Sequence, residues 1–132
     1  MTDMKTILLI EDNEMMRMFL VLFLGKDYQI YSVKNPEGAI EWLQEADVDL
    51  ILSDFPSNAQ WNFQIKALRA SIDSKSIPLI MLTDQDKSEQ RIQAFQWGAV
   101  DCLSKPFNPM ELKMRIQVKL QMNSFSNRNV LN

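Results

Sequence analysis

The sequence contains no histidine and a single cysteine, Cys102. Without histidine, Ser-His and Cys-His hydrolase chemistry is excluded, and the commonest general base and metal ligand is missing. One cysteine forms neither an internal disulfide nor a thiolate zinc cluster. Basic residues are also few, because 14 Lys and Arg against 17 Asp and Glu leave a net charge of −3. This balance argues against direct binding of nucleic acid, which needs a concentrated basic surface.

Long apolar runs are missing as well. The longest, Met18–Leu24, is too short to cross a bilayer, and the first residues lead straight into a predicted strand without the pattern of a signal peptide. We therefore expect a cytoplasmic protein with no membrane partner. Its 132 residues, 46% of them apolar, fit one domain with a sizeable core. We expect this domain to span residues 1–122, with a flexible tail at 123–132 and no effector domain after it.

Five short apolar segments predict strands, at residues 5–10, 28–33, 49–54, 77–82 and 100–104. Helices are predicted after each of them, beginning at the N-caps Asn13, Asn35 and Asn108 for the first, second and last, and covering residues 61–71 and 87–97 for the others. Gly25 and Gly98 end the first and fourth helices. Strands that alternate with helices at this spacing require right-handed crossovers and a parallel sheet covered on both faces.

Helical spacing also suggests which side chains pack inward. In the last helix one stripe holds Leu112, Ile116 and Leu120, and a neighbouring one holds Met110, Met114 and Val118. In the fourth helix we expect Ile92, Ala94 and Phe95 to face inward. In the first helix large apolar residues recur at helical spacing; they are Met15, Met16, Phe19, Leu20, Leu22 and Phe23. The nine methionines are most simply core filler.

Polar side chains stand where four of the five strands end: Glu11 and Asp12, Asp54, Thr83, and Lys105. A single acid there could merely cap the next helix or compensate its dipole, but chemistry in open α/β sheets gathers at these carboxyl ends. Converging carboxylates repel one another, so they need a cation or must stay partly protonated. For a cation, hard oxygen ligands favour Mg²⁺, with Mn²⁺ as a substitute. A metal, an ammonium, a hydroxyl and a carboxylate nucleophile are the parts that form an aspartyl-phosphate.

The pair Glu11-Asp12, then Asp54, Thr83 and Lys105-Pro106-Phe107, in this order within residues 5–121, resemble the receiver domain of two-component response regulators. The resemblance implies a doubly wound (βα)5, flavodoxin-like three-layer sandwich with the parallel strand order 2-1-3-4-5. It also implies roles for single residues: Asp54 as phospho-acceptor, Thr83 and Lys105 as phosphate contacts, and a cis Lys105-Pro106 bond. It implies that Mg²⁺ is held by Asp12, Asp54 and the backbone carbonyl of Pro56, with Glu11 acting directly or through water.

The resemblance further implies a partner histidine kinase or phosphotransfer protein as donor, and a downstream protein as target. Homodimerisation through helix four, strand five and helix five is one form that this contact takes. Such a domain is not an enzyme, except that it catalyses its own phosphorylation and dephosphorylation.

The sequence departs from the family pattern at three places. The loop after Asp54 has Asn58 and Asn62 where the family has Pro and Gly, and its Pro is at position 56 instead. Asp84 replaces a small residue after Thr83, where its carboxylate either points into the crevice or caps the fourth helix. Cys102 replaces an aromatic residue.

These departures support a second hypothesis, a degenerate receiver that binds proteins independently of phosphorylation. A third hypothesis is a flavin carrier or an aspartate-nucleophile phosphatase on the same scaffold. Against the flavin carrier, the first strand-to-helix loop lacks the Gly or Ser/Thr residues that bind a phosphate group. Against the phosphatase, no second acid that could serve as general acid lies two residues after Asp54.

Overall fold

The computed structural model describes residues 4–56, 59–84 and 86–130, with the side chains of 59–63 and 124–130 left out. Strands and helices alternate strictly along the chain. The elements are β1 Thr6–Ile10, α1 Glu14–Leu24, β2 Gln29–Val33, α2 Pro36–Glu45, β3 Leu50–Asp54, α3 Ala59–Lys75, β4 Leu79–Thr83, α4 Ser88–Gln96, β5 Asp101–Ser104 and α5 Pro109–Val130.

The five strands form one parallel sheet in the order β2-β1-β3-β4-β5. Both the doubly wound fold and the predicted strand order are confirmed. The order reverses between β1 and β3, and an open α/β sheet places its crevice at the carboxyl ends of the strands beside such a reversal.

Alternating side chains of the strands feed two separate cores, one on each face of the sheet. On one face Leu9, Leu52 and Leu82 pack with α1 and α5, whose buried residues are Leu20, Leu24, Leu112, Ile116 and Leu120. On the other face Ile51 and Met81 pack with α2, α3 and α4, whose buried residues are Ala39, Leu43, Ile65, Leu68, Ile72 and Ala94. The position of a residue within its strand therefore decides which helices it meets.

Local signals set the helix ends. The side-chain oxygens of Asn13, Asn35 and Asn108 accept hydrogen bonds from the N–H groups of Met16, Gly38 and Met110, which confirms the three predicted N-caps. The fourth helix ends before Gly98, whose φ of +98° favours glycine. Helix α5 continues to Val130, past residue 123, where we expect the tail to begin. No proline or glycine follows Pro109 to stop it. Flexibility of this segment stays a prediction.

Three predictions about the helices are corrected. Helix α3 is longer than residues 61–71, since its backbone is helical from Ala59 to Lys75. In α4, Ala94 is buried but Ile92 and Phe95 are exposed, because the short helix turns Ala94 and the following Trp97 toward the sheet. In α1, several residues of the predicted apolar pattern face outward; they are Met15, Phe19 and Leu22. Among the described helices, none combines the length and the apolar character that crossing a membrane requires.

Candidate functional site

Sheet register brings the acid of β3 next to the acid that follows β1. Ile10 pairs with Ser53, so Glu11 and Asp54 each come one residue after a matched pair. Both continue the alternation that turns Leu9 and Leu52 toward α1 and α5. Glu11, Asp12 and Asp54 each place a carboxylate oxygen within 4.8 Å of the others. The predicted convergence of the three acids is therefore present in the structure.

The three acids border an open cleft of about 530 Å³. Lys105 lines the same cleft from the end of β5, and Met15, Met16 and Phe19 of α1 form its apolar side. The Lys105 Nζ lies 2.5 Å from Asp54 Oδ1 and 3.9 Å from Glu11 Oε1. The Lys105-Pro106 bond is cis, as the resemblance implies. The cleft is thus acidic and apolar on opposite sides, with one ammonium at Asp54.

Burial dominates the electrostatics of this cleft. It raises the pKa of Asp54, and the hydrogen bond and charge of Lys105 offset only part of that rise. Burial and the charge of Asp54 likewise raise the pKa of Glu11, against a hydrogen bond from the Asn13 N–H and the charge of Lys105. Burial lowers the pKa of Lys105, but the hydrogen bond and charge of Asp54 outweigh it, so the pKa is raised. Lys105 therefore stays cationic at neutral pH, whereas ionisation of Glu11 and Asp54 costs free energy in the folded protein.

The acid cluster fits a divalent cation. Glu11 is 1% exposed, and its Oε1 has no hydrogen-bond partner among the described residues. A buried carboxylate oxygen that lacks a partner, beside two further carboxylates, is the kind of donor set that Mg²⁺ prefers. The magnesium site that the resemblance implies therefore has a fitting donor set in the three acids.

Thr83 lies at the same edge of the sheet, but it does not line the cleft. It continues the alternation of Met81, which faces α4, whereas Asp54 continues that of Leu52. Its side chain is fully buried, and its Oγ1 lies 3.3 Å from the Oγ of Ser104, its partner in β5. Ser104 was missed in the sequence, although the pairing of two strand-terminal hydroxyls follows from the strand order and the period of two.

Asp84 is held by helix α4. Its Oδ2 accepts a hydrogen bond from Gln90 Nε2, and its N–H donates to Gln90 Oε1. Its carboxylate is therefore exposed and engaged by the helix, rather than directed into the cleft. The charge nevertheless acts at a distance, because it contributes to the raised pKa values of both Asp54 and Lys105.

The other departures from the family pattern have different outcomes. Asn58 lies outside the described residues, and the side chain of Asn62 lies outside the described side chains. Cys102 is half-buried and packs against the core on the α4 side of the sheet. On that side Phe55, directly after Asp54, stacks on Trp97 with ring centroids 5.1 Å apart. An aromatic contact thus exists in the core that Cys102 packs against, but its rings come from the residues that directly follow β3 and α4.

Helix α1 exposes a row of large apolar side chains beside the cleft. We call Met15, Met18, Phe19 and Leu22 the α1 stripe; their spacing of three and four residues places them on one face. Met15 is 83% and Leu22 70% exposed. Contiguous apolar surface of this kind indicates an interaction site. The sequence showed the apolar spacing but not its direction, because Leu20 and Leu24 already supply the buried face.

Comparison with known proteins identifies the family. The family model of the response regulator receiver domain matches residues 7–117. The chain is 32% identical over 120 residues to the phosphate regulon transcriptional regulatory protein PhoB of Klebsiella pneumoniae, covering 89% of this chain and 52% of that protein. It is 31% identical to the transcriptional regulatory protein ResD of Bacillus subtilis, covering 91% and 50%. The chain spans about half the length of the curated relatives it matches.

Among solved structures, the chemotaxis response regulator CheY4 of Vibrio cholerae superimposes with a TM-score of 0.75 at 26% identity, covering 89% of this chain and 99% of that one. The fold, the acid cluster and the sequence similarity all point to the same family, and the similarity extends over most of the chain. The chain belongs to the receiver domain family of response regulators, which are phospho-accepting signalling modules.

Proposed function

We propose that this chain accepts a phosphoryl group on Asp54, from a histidine kinase or phosphotransfer protein, in a Mg²⁺-dependent reaction. The observation that carries the proposal is the contact of Lys105 with Asp54 inside the cluster of Glu11, Asp12 and Asp54. In phosphoryl transfer, catalysis consists mainly of positioning and of neutralising charge, and both are features of this cleft. A cytoplasmic location is part of the proposal.

An oxygen of the Asp54 carboxylate attacks phosphorus, the P–N bond of the phosphohistidine breaks, and the histidine nitrogen keeps the electron pair and takes up a proton. The Lys105 ammonium moves its contact from Asp54 to a phosphoryl oxygen, and the Thr83 hydroxyl donates to another. Glu11, Asp12, Asp54 and the Pro56 carbonyl would hold Mg²⁺, or Mn²⁺, and the bound ion would supply positive charge against the phosphoryl oxygens. Catalysis extends only to the chain's own phosphorylation and dephosphorylation.

The test is phosphorylation by phosphoramidate with MgCl₂, followed by intact mass. We expect wild type to gain one phosphoryl group that hydroxylamine removes, and Asp54→Asn to gain none. Asp47→Asn is the matched control, because Asp47 is an exposed acid before the other end of the same strand. EDTA abolishes the gain. An unmodified wild type would support the alternative function, a degenerate receiver that binds partners independently of phosphorylation.

The α1 stripe is the surface that we propose for the phosphodonor protein. Met15 and Phe19 belong both to this stripe and to the lining of the cleft, so a protein that delivers phosphate to Asp54 passes across it. The variant Leu22→Ser alters the stripe outside the cleft lining. We expect slower transfer from a phosphorylated kinase that modifies wild type, with unchanged reaction with phosphoramidate. Val118→Ser, an exposed apolar residue on α5, is the control.

A second surface, on α4, β5 and α5, is proposed for the downstream protein or for a second copy of the chain. It exposes apolar side chains on both helices, and Arg115 bridges Asp101 at 3.0 Å within it. The exposed residues are Ile92, Phe95, Val100, Met114, Val118 and Met122. Light scattering with and without beryllofluoride tests the homodimer, and Met114→Glu is expected to abolish any dimer that forms.

A further inference from the structure

Two side chains connect the buried Thr83 hydroxyl to helix α4. Thr83 Oγ1 lies 3.3 Å from Ser104 Oγ, and the Nη1 of Arg91 donates to the same Ser104 oxygen at 3.3 Å. Arginine only donates, so the Ser104 oxygen accepts from Arg91, whereas either hydroxyl can be the donor between Ser104 and Thr83. The three residues form a hydrogen-bonded chain from the side chain of an α4 residue to the end of β4.

The alternation of the strands places this chain on the opposite side of the sheet from the acceptor. Thr83 and Ser104 follow Met81 and Cys102, which face α4, whereas Asp54 faces α1 and α5. Thr83 reaches a phosphoryl oxygen on Asp54 only by a rotation toward the cleft. That rotation takes its hydroxyl away from Ser104, so the two contacts compete.

Arg91 contacts β5 at Ser104, whose side chain leaves the strand on the same face as that of Cys102. These residues are two apart and share a face of the strand. Burial and the charge of Asp101 raise the pKa of the Cys102 thiol to about 11, and the charge of Arg91 acts in the opposite direction. Through Ser104, Arg91 links α4 to Thr83 by two side-chain hydrogen bonds.

We propose that Ser104 and Arg91 are positioning residues that hold Thr83 in its resting orientation, and that Arg91 reports its release when Asp54 is occupied. The proposal rests on phosphorylation at Asp54. When Thr83 turns to the phosphoryl group, the Ser104 hydroxyl loses its partner and its hydrogen bond with Arg91 rearranges. The occupied cleft is thereby reported at the surface of α4, without an aromatic residue at position 102.

The experiment compares wild type with Ser104→Ala, which removes the hydroxyl, and Ser104→Thr, which restores it. Beryllofluoride and MgCl₂ are titrated while ¹⁹F NMR measures occupancy of Asp54 and the Nε–H signal of Arg91 measures its environment. Asp54→Asn shows that the bound fluorine signal belongs to Asp54. Cys102→Ala is the matched control, because it lies on the same face of β5 without bonding Thr83.

We expect Ser104→Ala to bind beryllofluoride about fivefold more tightly, because one hydrogen bond of the resting state is lost. In wild type and Ser104→Thr the Arg91 signal moves as Asp54 fills, and in Ser104→Ala most of that movement is lost. Equal or weaker binding by Ser104→Ala, or an unchanged movement of Arg91, would overturn the proposal while leaving phosphorylation intact. Absence of bound fluorine in wild type would instead reject the proposed function, and this inference with it.

Discussion

Replacing Glu11 by glutamine is expected to stabilise the metal-free protein. Glu11 is buried, its Oε1 lacks a partner among the described residues, and the carboxylates of Asp12 and Asp54 are within 4.8 Å. At an effective dielectric constant of about 20, each carboxylate at that distance repels Glu11 by about 3.5 kcal/mol, and Lys105 at 3.9 Å attracts it by about 4 kcal/mol. Because Asp12 is exposed, solvent screens its repulsion of Glu11, so the repulsion by the two carboxylates and the attraction by Lys105 nearly cancel. What remains is the cost of burying a charged oxygen without a hydrogen-bond partner, about 1–3 kcal/mol. Glutamine removes the charge, and its Nε2 can donate to a neighbouring carboxylate.

We therefore expect Glu11→Gln to raise the free energy of unfolding by about 2 kcal/mol, or the melting temperature by roughly 5–8 °C. Thermal unfolding is measured at pH 7 in EDTA. Glu14→Gln makes the same change of charge at an exposed position three residues away, and it is expected to change stability little. Addition of MgCl₂ narrows the difference, because a ligand at a hundred times its Kd stabilises wild type by about 2.7 kcal/mol and the variant has lost a ligand.

The dependence on pH follows from the direction of the shift. The folded state raises the pKa of Glu11 above its ordinary value of 4.5, so ionisation costs wild type stability as the pH rises from about 4.5 through the folded-state pKa. The stability that Glu11→Gln gains over wild type therefore increases as the pH rises, and it disappears near pH 4. A variant that is less stable than wild type at pH 7 in EDTA, or a gain that persists at pH 4, would refute the reasoning.

Three further variants test other parts of the structure. Gly98→Ala is expected to cost about 1–2 kcal/mol in urea unfolding, because φ of +98° is strained for any side chain although a Cβ there meets only ordinary contacts; an unchanged midpoint contradicts this. Ile116→Ala should cost about 2–5 kcal/mol as a buried α5 residue, against less than about 0.5 kcal/mol for the exposed Val118→Ala. Asp84→Asn should speed phosphorylation by phosphoramidate roughly two- to fivefold, because an exposed charge is worth about 0.5–1 kcal/mol, and an unchanged or slower rate would show that its charge is not felt at Asp54.

The fold and the acid cluster followed from the sequence because both rest on strong, local signals. Five apolar segments with caps between them leave few alternatives to a parallel sheet, and strand ends place Glu11, Asp12, Asp54 and Lys105 at one edge. Which apolar side chains of a helix face solvent did not follow from the sequence. Ile92, Met15 and Leu22 have the helical spacing of core residues, yet each is exposed. Only one face of each helix packs on the sheet, and other residues occupy that face.

Thr83 shows a second limit. Its place at the end of β4 suggested a phosphate contact, but whether its side chain enters the cleft depends on which of the two faces of the strand it occupies. A one-residue difference in strand phase reverses that face, and strand ends are the least defined part of a sequence pattern. The partners Ser104 and Arg91 depend further on the packing of α4 on β5, which brings together residues 13 positions apart.

The alternation of the sheet separates the proposed chemistry of this domain from its proposed readout. Asp54, the proposed acceptor, faces α1 and α5 with its acidic neighbours and Lys105, whereas Thr83, Ser104 and Cys102 face α4. Cys102 departs from the family pattern on the α4 side, and Asp84 is bound to α4 through Gln90. Changes on that side can alter how an occupied Asp54 is reported without removing the carboxylate, the lysine or the acids that surround it. A departure at position 102 is therefore an argument about the output of this receiver, and it is not an argument against phosphorylation.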